Sequence, residues 1–318
     1  MIRLTDMTLA VLDTTKCKTE ALVEFYELLL LMGVDRVEMN LTEAQRLGSA
    51  LVKERTVVRM DDPSKNLEGF SWLLCHEMEV SGICDLSLLE RYKHHDNIRI
   101  TGLGDLILYD FQSEFQKIRR LLPMSAELCP DNGYGCAGAI LTEWLMDGGN
   151  GAGTFMGVGG FAPLEEVIMA LHIARQHRPC LDLSMLPRMC QLFTEISGIK
   201  VPSHKSIVGH AVFEVESGIH VDGILKDPMN YEPFSPDLVG AKRQIVVGKH
   251  SGLVSLKHCL SKLGFELPAE ALPLMLNDVR REAVSLRRAL ADSEVLLIAE
   301  KVRVDHETES ISHGYHAS

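Results

Sequence analysis

Short apolar runs alternate with amphipathic stretches through the first half of the chain, as far as about residue 178. The runs have the length and composition of strands, and the stretches repeat every three to four positions, as helices with one buried face do. The predicted strands are MIRLTDMTL, RVEMN, TVVRM, NIRITGL, SAELC and GTFMGVGG, and the predicted helices cover residues 19–33, 42–53, 111–122, 135–147 and 163–177. Strands that alternate with such helices pair in parallel through right-handed crossovers, so the pattern predicts an α/β fold, either a doubly wound sheet or a β/α barrel.

The second half of the chain has a different pattern. A helix is predicted to end at Gly198, residues 200–252 are rich in Gly, Pro and His without a helical period, and helices return over residues 253–300. These changes divide the chain into four parts. They are a β/α part at 1–178, a helix followed by a linker at 179–252, a C-terminal helical subdomain at 253–304 and a flexible tail at 305–318.

Composition narrows the classes of function. A chain of 318 residues, 46% of them hydrophobic and 24% charged, can bury a large core and is not disordered. A net charge of -12 with scattered Lys and Arg makes nucleic acid and anionic membranes poor partners. The N-terminal run carries acids and no leader pattern, and the eight cysteines form no C-x-x-C pair, so we expect a cytoplasmic protein with reduced thiols.

Two side chains that can move or hold a proton flank a turn-rich segment, ESGIHVDGILKDPMNYEPF. His220 and Tyr231 are eleven residues apart, and the Gly and Pro between them can fold the segment back on itself. An imidazole can accept a proton near neutral pH, and a phenol can donate a hydrogen bond to a developing oxyanion. The alternative is a solvated loop histidine beside a packed tyrosine.

The segment VVGKHSG offers a second candidate site. Its Gly-rich backbone, Lys249 and Ser251 precede a predicted helix, an arrangement that suits the phosphates of a ligand such as CoA. The alternative is a helix start that Ser251 caps.

Residues 202–252, from PSHKSIVGH to VVGKHSG, resemble the linker and lid segment of the homocitrate synthase and 2-isopropylmalate synthase family. Within that family the resemblance is greatest to the omega-type subunits of nitrogen-fixation homocitrate synthases. GGFAPLEEVIMAL resembles the last helix of the family's barrel, DMTL its first strand and ELCPDNGYG its metal-binding strand.

The resemblance implies a β/α barrel that binds a divalent metal, condenses acetyl-CoA with a 2-oxo acid and hydrolyses the thioester. It also implies a lid that reaches into the barrel of a partner subunit, where its His and Tyr assist the condensation. These roles fall on His220 and Tyr231, which lie in intact motifs. Glu38 matches an acidic position of the second strand, so it is a candidate substrate ligand, with a salt-bridge partner at the barrel rim as the alternative.

The barrel motifs themselves are altered. Where the family has D-T-T-L-R-D-G-E-Q, this chain has DMTLAVLDT, so Ala10 aligns with the catalytic arginine and Val11 with a metal-ligand aspartate. Cys129 and Asp131 align with two histidine ligands, and Phe161 follows a shortened motif that lacks the asparagine ligand. We therefore expect no metal in this chain, and interpret Cys129 and Asp131 as a packed thiol and a rim carboxylate. Residues 54–97 are too few for three β/α units, which predicts an abbreviated barrel.

An intact lid beside an altered metal centre fits a composite active site. The prediction is a subunit of a two-component homocitrate synthase that forms homocitrate and CoA from acetyl-CoA, 2-oxoglutarate and water, for nitrogenase cofactor synthesis. The partner would be an alpha-type catalytic subunit that holds the divalent metal. Two alternatives are a regulatory or assembly partner of such a synthase, and an autonomous acyltransferase with a rebuilt metal site.

Overall fold

The structure, a computed structural model, describes residues 2–59, 76–95, 97–175 and 182–314. Part of the segment 54–97, where the barrel was expected to be abbreviated, lies outside these residues. Contacts divide the chain into two units, Met1–Gly209 with Leu238–Gly240, and His210–Asp237 with Ala241–Ser318. The helix predicted to end at Gly198 thus belongs with the β/α part, whereas the sequence division had placed it after residue 178.

The first unit alternates strands and helices. Its strands are β1 (Leu4–Asp6), β2 (Arg36–Asn40), β3 (Thr56–Arg59), β4 (His76–Val80), β5 (Ile98–Gly102), β6 (Glu127–Pro130) and β7 (Asn150–Gly153). Its helices are α1 (Thr8–Val11), α2 (Thr19–Met32), α3 (Leu41–Leu47), α4 (Phe111–Leu121), α5 (Ala137–Met146), α6 (Leu164–Arg175) and α7 (Leu186–Ser197). A 3-10 helix, Ile83–Tyr92, connects β4 to β5.

The strands form one parallel sheet in the order β3-β2-β1-β7-β6-β5-β4. Since β1 pairs with both β2 and β7, this is the cyclic order of a β/α barrel rather than that of a doubly wound sheet. The outer strands β3 and β4 approach each other, because Arg59 Nη2 lies 3.1 Å from Glu77 Oε1. The prediction of a β/α barrel type is confirmed as a curled sheet with seven strands among the described residues.

Two local differences from the prediction have physical causes. The last strand ends at Gly153, the first residue of the predicted GTFMGVGG, because Met156, Gly157 and Gly159 have positive φ angles of 62°, 69° and 74° that no strand accommodates. Strand β4 lies in the region whose pattern was least clear. Its sequence HEMEV has only two apolar residues, Met78 and Val80, which alternate with two acids, so it lacks the apolar run typical of a buried strand.

A buried arginine fills the interior of the curled sheet. Arg99 of β5 is fully buried and pairs in register with Glu77 of β4 and Glu127 of β6. Its guanidinium lies 3.1 Å from Glu77, 2.8 Å from Glu127 and 2.6 Å from Glu38 of β2. The same group donates to Met7 Sδ at 2.9 Å. One cation therefore ties four strands together through their inward-facing side chains.

The second unit is mainly helical. It contains α8 (Gly218–Lys226), α9 (Leu253–Lys262), α10 (Leu272–Leu286) and α11 (Asp292–Gly314), with a short parallel pair, β8 (Glu214–Val215) and β9 (Gln244–Ile245). The helices α9, α10 and α11 share a buried apolar core that includes Leu256, Met275, Val279, Val295 and Ala299. No helix within the described ranges is long and apolar enough to span a bilayer.

Two segments of the second unit differ from the sequence-based expectation. Residues 218–226, expected in a linker without helical period, form α8 because Val221 and Ile224 are buried three residues apart on one face. Helix α11 continues to Gly314, so part of the segment expected to be a tail is helical. The physical reason is that no Gly or Pro interrupts the sequence between residue 292 and that glycine.

Replacing Arg99 with Met should destabilise the first unit strongly. The variant leaves buried carboxylates without their shared cation, a change that costs about 3–5 kcal/mol in other buried ion pairs. Urea unfolding followed by circular dichroism measures the loss. The matched control is Arg188→Met, which removes an exposed pair with Glu24 and should change the midpoint little. Equal midpoints for both variants would contradict a central role for Arg99.

Candidate functional site

Three of the four positions that align with the family's metal ligands form an apolar cluster in the first unit. Val11 and Phe161 pack against the buried Met7, Cys129 and Ala152. Burial raises the pKa of the Cys129 thiol, which favours the protonated form in these apolar surroundings. The cluster offers no oxygen or nitrogen side-chain ligand to a hard cation.

The fourth position, Asp131, is not part of this apolar cluster. Its carboxylate is exposed and accepts a hydrogen bond from the backbone N–H of Gly133, closing the turn after β6. Across the part of the chain that the structure describes, no three His, Cys, Asp or Glu side chains are grouped to hold a metal. The residues present do not fit the divalent metal that the family resemblance implies.

Glu38 has the surroundings of a salt-bridge partner. Its carboxylate contacts both Arg59 and Arg99, and its side chain is 2% exposed. Burial by itself would raise the pKa of Glu38, but the two guanidinium groups outweigh it and hold the pKa below its usual value. Each carboxylate oxygen therefore lies against a guanidinium in the sheet interior, and a substrate role for Glu38 stays a prediction.

His220 and Tyr231 lie together on the surface of the second unit. His220 is on α8, and Tyr231 follows a 3-10 turn, Pro228–Asn230, which Asp227 starts by accepting a hydrogen bond from Met229 N at 3.0 Å. The two ring centroids are 4.8 Å apart with an angle of 48° between the planes. Both side chains are exposed. The turn thus folds the segment back as its Gly and Pro content predicted, and presents an imidazole and a phenol to the same solvent-facing region.

Close backbone approaches hold this pair in place. A Cβ at Gly223 would lie 2.3 Å from Cε2 of Tyr231, so only glycine lets the phenol ring lie against α8. A Cβ at Gly218 would lie 3.2 Å from Cα of Gly252, which places the start of α8 against the start of α9. The glycines of GIHVDG and KHSG therefore set the position of the rings rather than adding flexibility.

The segment VVGKHSG forms a tight turn. Ser251 is fully buried; its Oγ accepts from Gly248 N at 2.9 Å and donates to the Glu216 carbonyl at 3.3 Å. Its hydroxyl is thus used within the turn, and the N-cap residue of α9 is Gly252 rather than Ser251. Lys249, by contrast, is exposed.

A buried acid lies at the end of β1. Asp6 is fully buried, and its carboxylate accepts from Thr8 N at 2.8 Å and from Thr8 Oγ1 at 2.9 Å. Burial is the main cause that raises the pKa of Asp6 to about 7, although the bonds from Thr8 act in the opposite direction. This acid therefore changes protonation near neutral pH inside the fold.

Comparison with known proteins adds to this geometry. The family model described as homocitrate synthase post-HMGL domain-like matches residues 207–286. The chain is 30% identical over 237 residues to the homocitrate synthase omega subunit of Clostridium pasteurianum, covering 73% of this chain and 67% of that protein. The chain belongs to the homocitrate synthase and 2-isopropylmalate synthase family. The sequence-based assignment to this family is confirmed.

Other relatives match over a smaller share of their length. The chain is 38% identical to 2-isopropylmalate synthase 2 of Caldanaerobacter subterraneus, over 61% of this chain and 52% of that protein. It is 36% identical to homocitrate synthase 1 of Nostoc sp., over 58% of this chain and 50% of that protein. The chain thus spans about half the length of these two synthases and two thirds of the omega subunit.

Several residues that the structure brings into focus were not singled out from the sequence. Arg99, Glu77 and Glu127 of the interior network are such residues; each is a charged residue within a strand, and the recurrence of charges in strands was the available signal. Arg287 and Arg288, which lie near Lys249 around one pocket, end a helix whose charges resemble those of any exposed helix. No sequence pattern distinguished them.

Stability should fall as pH rises from 3.8 to about 7, in part because of Asp6. Its folded-state pKa lies above the unfolded value, so the folded state binds the extra proton across this window and loses that advantage on deprotonation, by about 4 kcal/mol at most. Asp6→Asn should flatten this fall, measured as the free energy of unfolding at several pH values. Asp13→Asn, at an exposed aspartate, should leave the fall in place. If the free energy of unfolding falls equally with pH in wild type and in Asp6→Asn, the raised pKa of Asp6 is contradicted.

Gly223→Ala should separate the two rings although it stabilises the helix itself. Alanine favours a helix over glycine by about 1 kcal/mol, but its Cβ displaces the Tyr231 ring. Nuclear Overhauser contacts between His220 and Tyr231 ring protons should be lost in this variant. Gly138→Ala is the matched control, because that helical glycine has its nearest neighbour at 3.5 Å and room for a methyl group. Ring contacts that persist in Gly223→Ala would rule out this packing.

Proposed function

We propose that this chain is a subunit of a two-component homocitrate synthase and supplies His220 and Tyr231 to an active site centred on an alpha-type partner subunit. The observation that carries the proposal is the contrast between its two units. The paired imidazole and phenol are exposed on the second unit, whereas the metal-aligned positions of the first are apolar. A relative named as an omega subunit is consistent with a partner. The partner would hold the divalent metal and the 2-oxo acid.

The chemistry needs the two groups in different roles. With acetyl-CoA bound, His220 would assist removal of a proton from the acetyl methyl group, and the resulting carbanion would add to the 2-oxo carbon of 2-oxoglutarate. Tyr231 would donate a hydrogen bond to the carbonyl oxygen as it becomes an alkoxide, which then takes up a proton. Water then cleaves the thioester and releases CoA and homocitrate. Atoms balance across these steps without a further reactant.

The surroundings of the pair suit a surface that another protein covers. Ile219 and Met229, which flank the two aromatic side chains in sequence, are 77% and 69% exposed. Exposed apolar side chains around a polar pair are typical of the interior of a protein interface. This supports a role for α8 and the following turn in contact with the partner barrel, where water exclusion would strengthen the hydrogen bond from Tyr231.

His220→Ala should abolish most of the activity of the reconstituted pair. Loss of a general acid–base group lowers turnover by about 10²–10⁴-fold, and Tyr231→Phe, which keeps the ring and removes the donor, by about 10²-fold. Release of CoA from acetyl-CoA in the presence of 2-oxoglutarate measures both, with gel filtration to show that the complex persists. His204→Ala, at an exposed histidine of the first unit, is the control and should retain activity.

Unchanged turnover in His220→Ala would remove the catalytic role. With an intact complex, that result would favour the regulatory or assembly subunit. Metal-dependent turnover by this chain alone would favour the autonomous acyltransferase instead.

A further inference from the structure

A pocket of about 330 Å³ opens on the second unit beside the C-terminal end of α10. Half of its lining residues are charged: Glu216, Lys249, Arg287 and Arg288. His250 and Val284 also line it, with two alanines. The pocket lies entirely within one unit, so its composition does not depend on the first.

Two of the three cations at this pocket have no charge partner among the described residues. Arg288 is held by Glu294 through bonds of 2.8 and 2.6 Å and also donates to the Ala289 carbonyl. Lys249 and Arg287 are exposed and make no ion pair within the described ranges. The lining carboxylate of Glu216 accepts a hydrogen bond from His250 N and is thereby directed to the turn. With Arg288 paired to Glu294, the pocket thus carries the two cations Lys249 and Arg287 against the single carboxylate of Glu216, which leaves a net positive charge.

The backbone at one of these cations, Arg287, is in an unfavourable conformation. Arg287 is the C-cap residue of α10 and adopts the left-handed conformation, with φ 55° and ψ 34°, where glycine is strongly preferred. A helix C-terminus attracts cations, which accounts for one arginine there. It does not account for a lysine from the separate VVGKHSG turn at the same pocket, in a chain whose net charge is -12. Like charges gathered in this way are stabilised by an anion.

We propose that this pocket binds a phosphate group of a small molecule, through Lys249 and Arg287, with Arg288 held at its edge. An arginine offers the planar donor pair that fits phosphate oxygens, and a lysine adds a point charge. The pocket is large enough for a phosphate ester and its first attached atoms, and Val284 provides an apolar wall for them. The inference extends the proposed function, since acetyl-CoA carries such phosphates, but its test uses this chain alone.

The experiment is titration calorimetry of the full chain with inorganic pyrophosphate at low and moderate salt. We expect saturable binding that weakens with salt, as charge-driven contacts do. The double variant Lys249→Met with Arg287→Met should weaken pyrophosphate binding at least tenfold. The matched control, Lys262→Met with Arg281→Met, removes two exposed cations of α9 and α10 outside the pocket and should bind as wild type does.

A second ligand distinguishes the source of the phosphate. If adenosine 3′,5′-bisphosphate binds more tightly than pyrophosphate and loses affinity in the same double variant, the site serves a nucleotide such as the one in CoA. Equal affinities for the two ligands would show that the site recognises phosphate groups and not the attached nucleoside. No saturable pyrophosphate binding, or equal binding by the pocket and control variants, would overturn the proposal. Either result leaves the activity test of His220 unaffected, so the two proposals fail separately.

Discussion

The first unit depends on one buried guanidinium. Arg99 lies where the inward-facing side chains of four strands meet, and it neutralises glutamates that would otherwise repel one another in a medium with little water. The charged side chains inside this sheet are paired with one another. A substrate ligand has to be accessible, whereas the Glu38 side chain is buried against two guanidinium groups.

On the second unit, rigidity comes from close packing of backbone rather than from a deep cleft. The ring of Tyr231 rests against a glycine of α8, and the starts of α8 and α9 touch at Gly218 and Gly252. A pair of side chains fixed in this way keeps its geometry while both side chains remain exposed to solvent. That combination suits groups that complete a site belonging to another surface, because little rearrangement is needed on contact.

The sequence predicted most helices and strands of the first unit and the approach of His220 to Tyr231, because hydrophobic periodicity and turn residues act locally. It missed features that depend on distant partners. Arg99 is an ordinary lone charge until three other strands bring glutamates to it. Helix α8 contains two glycines that argue against a helix, and burial of Val221 and Ile224 stabilises it in the fold. Met156 has a positive φ that no local rule for methionine predicts.

The apolar cluster around Cys129 constrains how a metal site could be engineered into this unit. Its members share one packed patch, so a single substitution to a metal-binding side chain would bury an unsatisfied polar group among hydrophobic neighbours. A metal site here therefore requires several substitutions made together, because each one alone lowers stability before a bound cation can offset the loss.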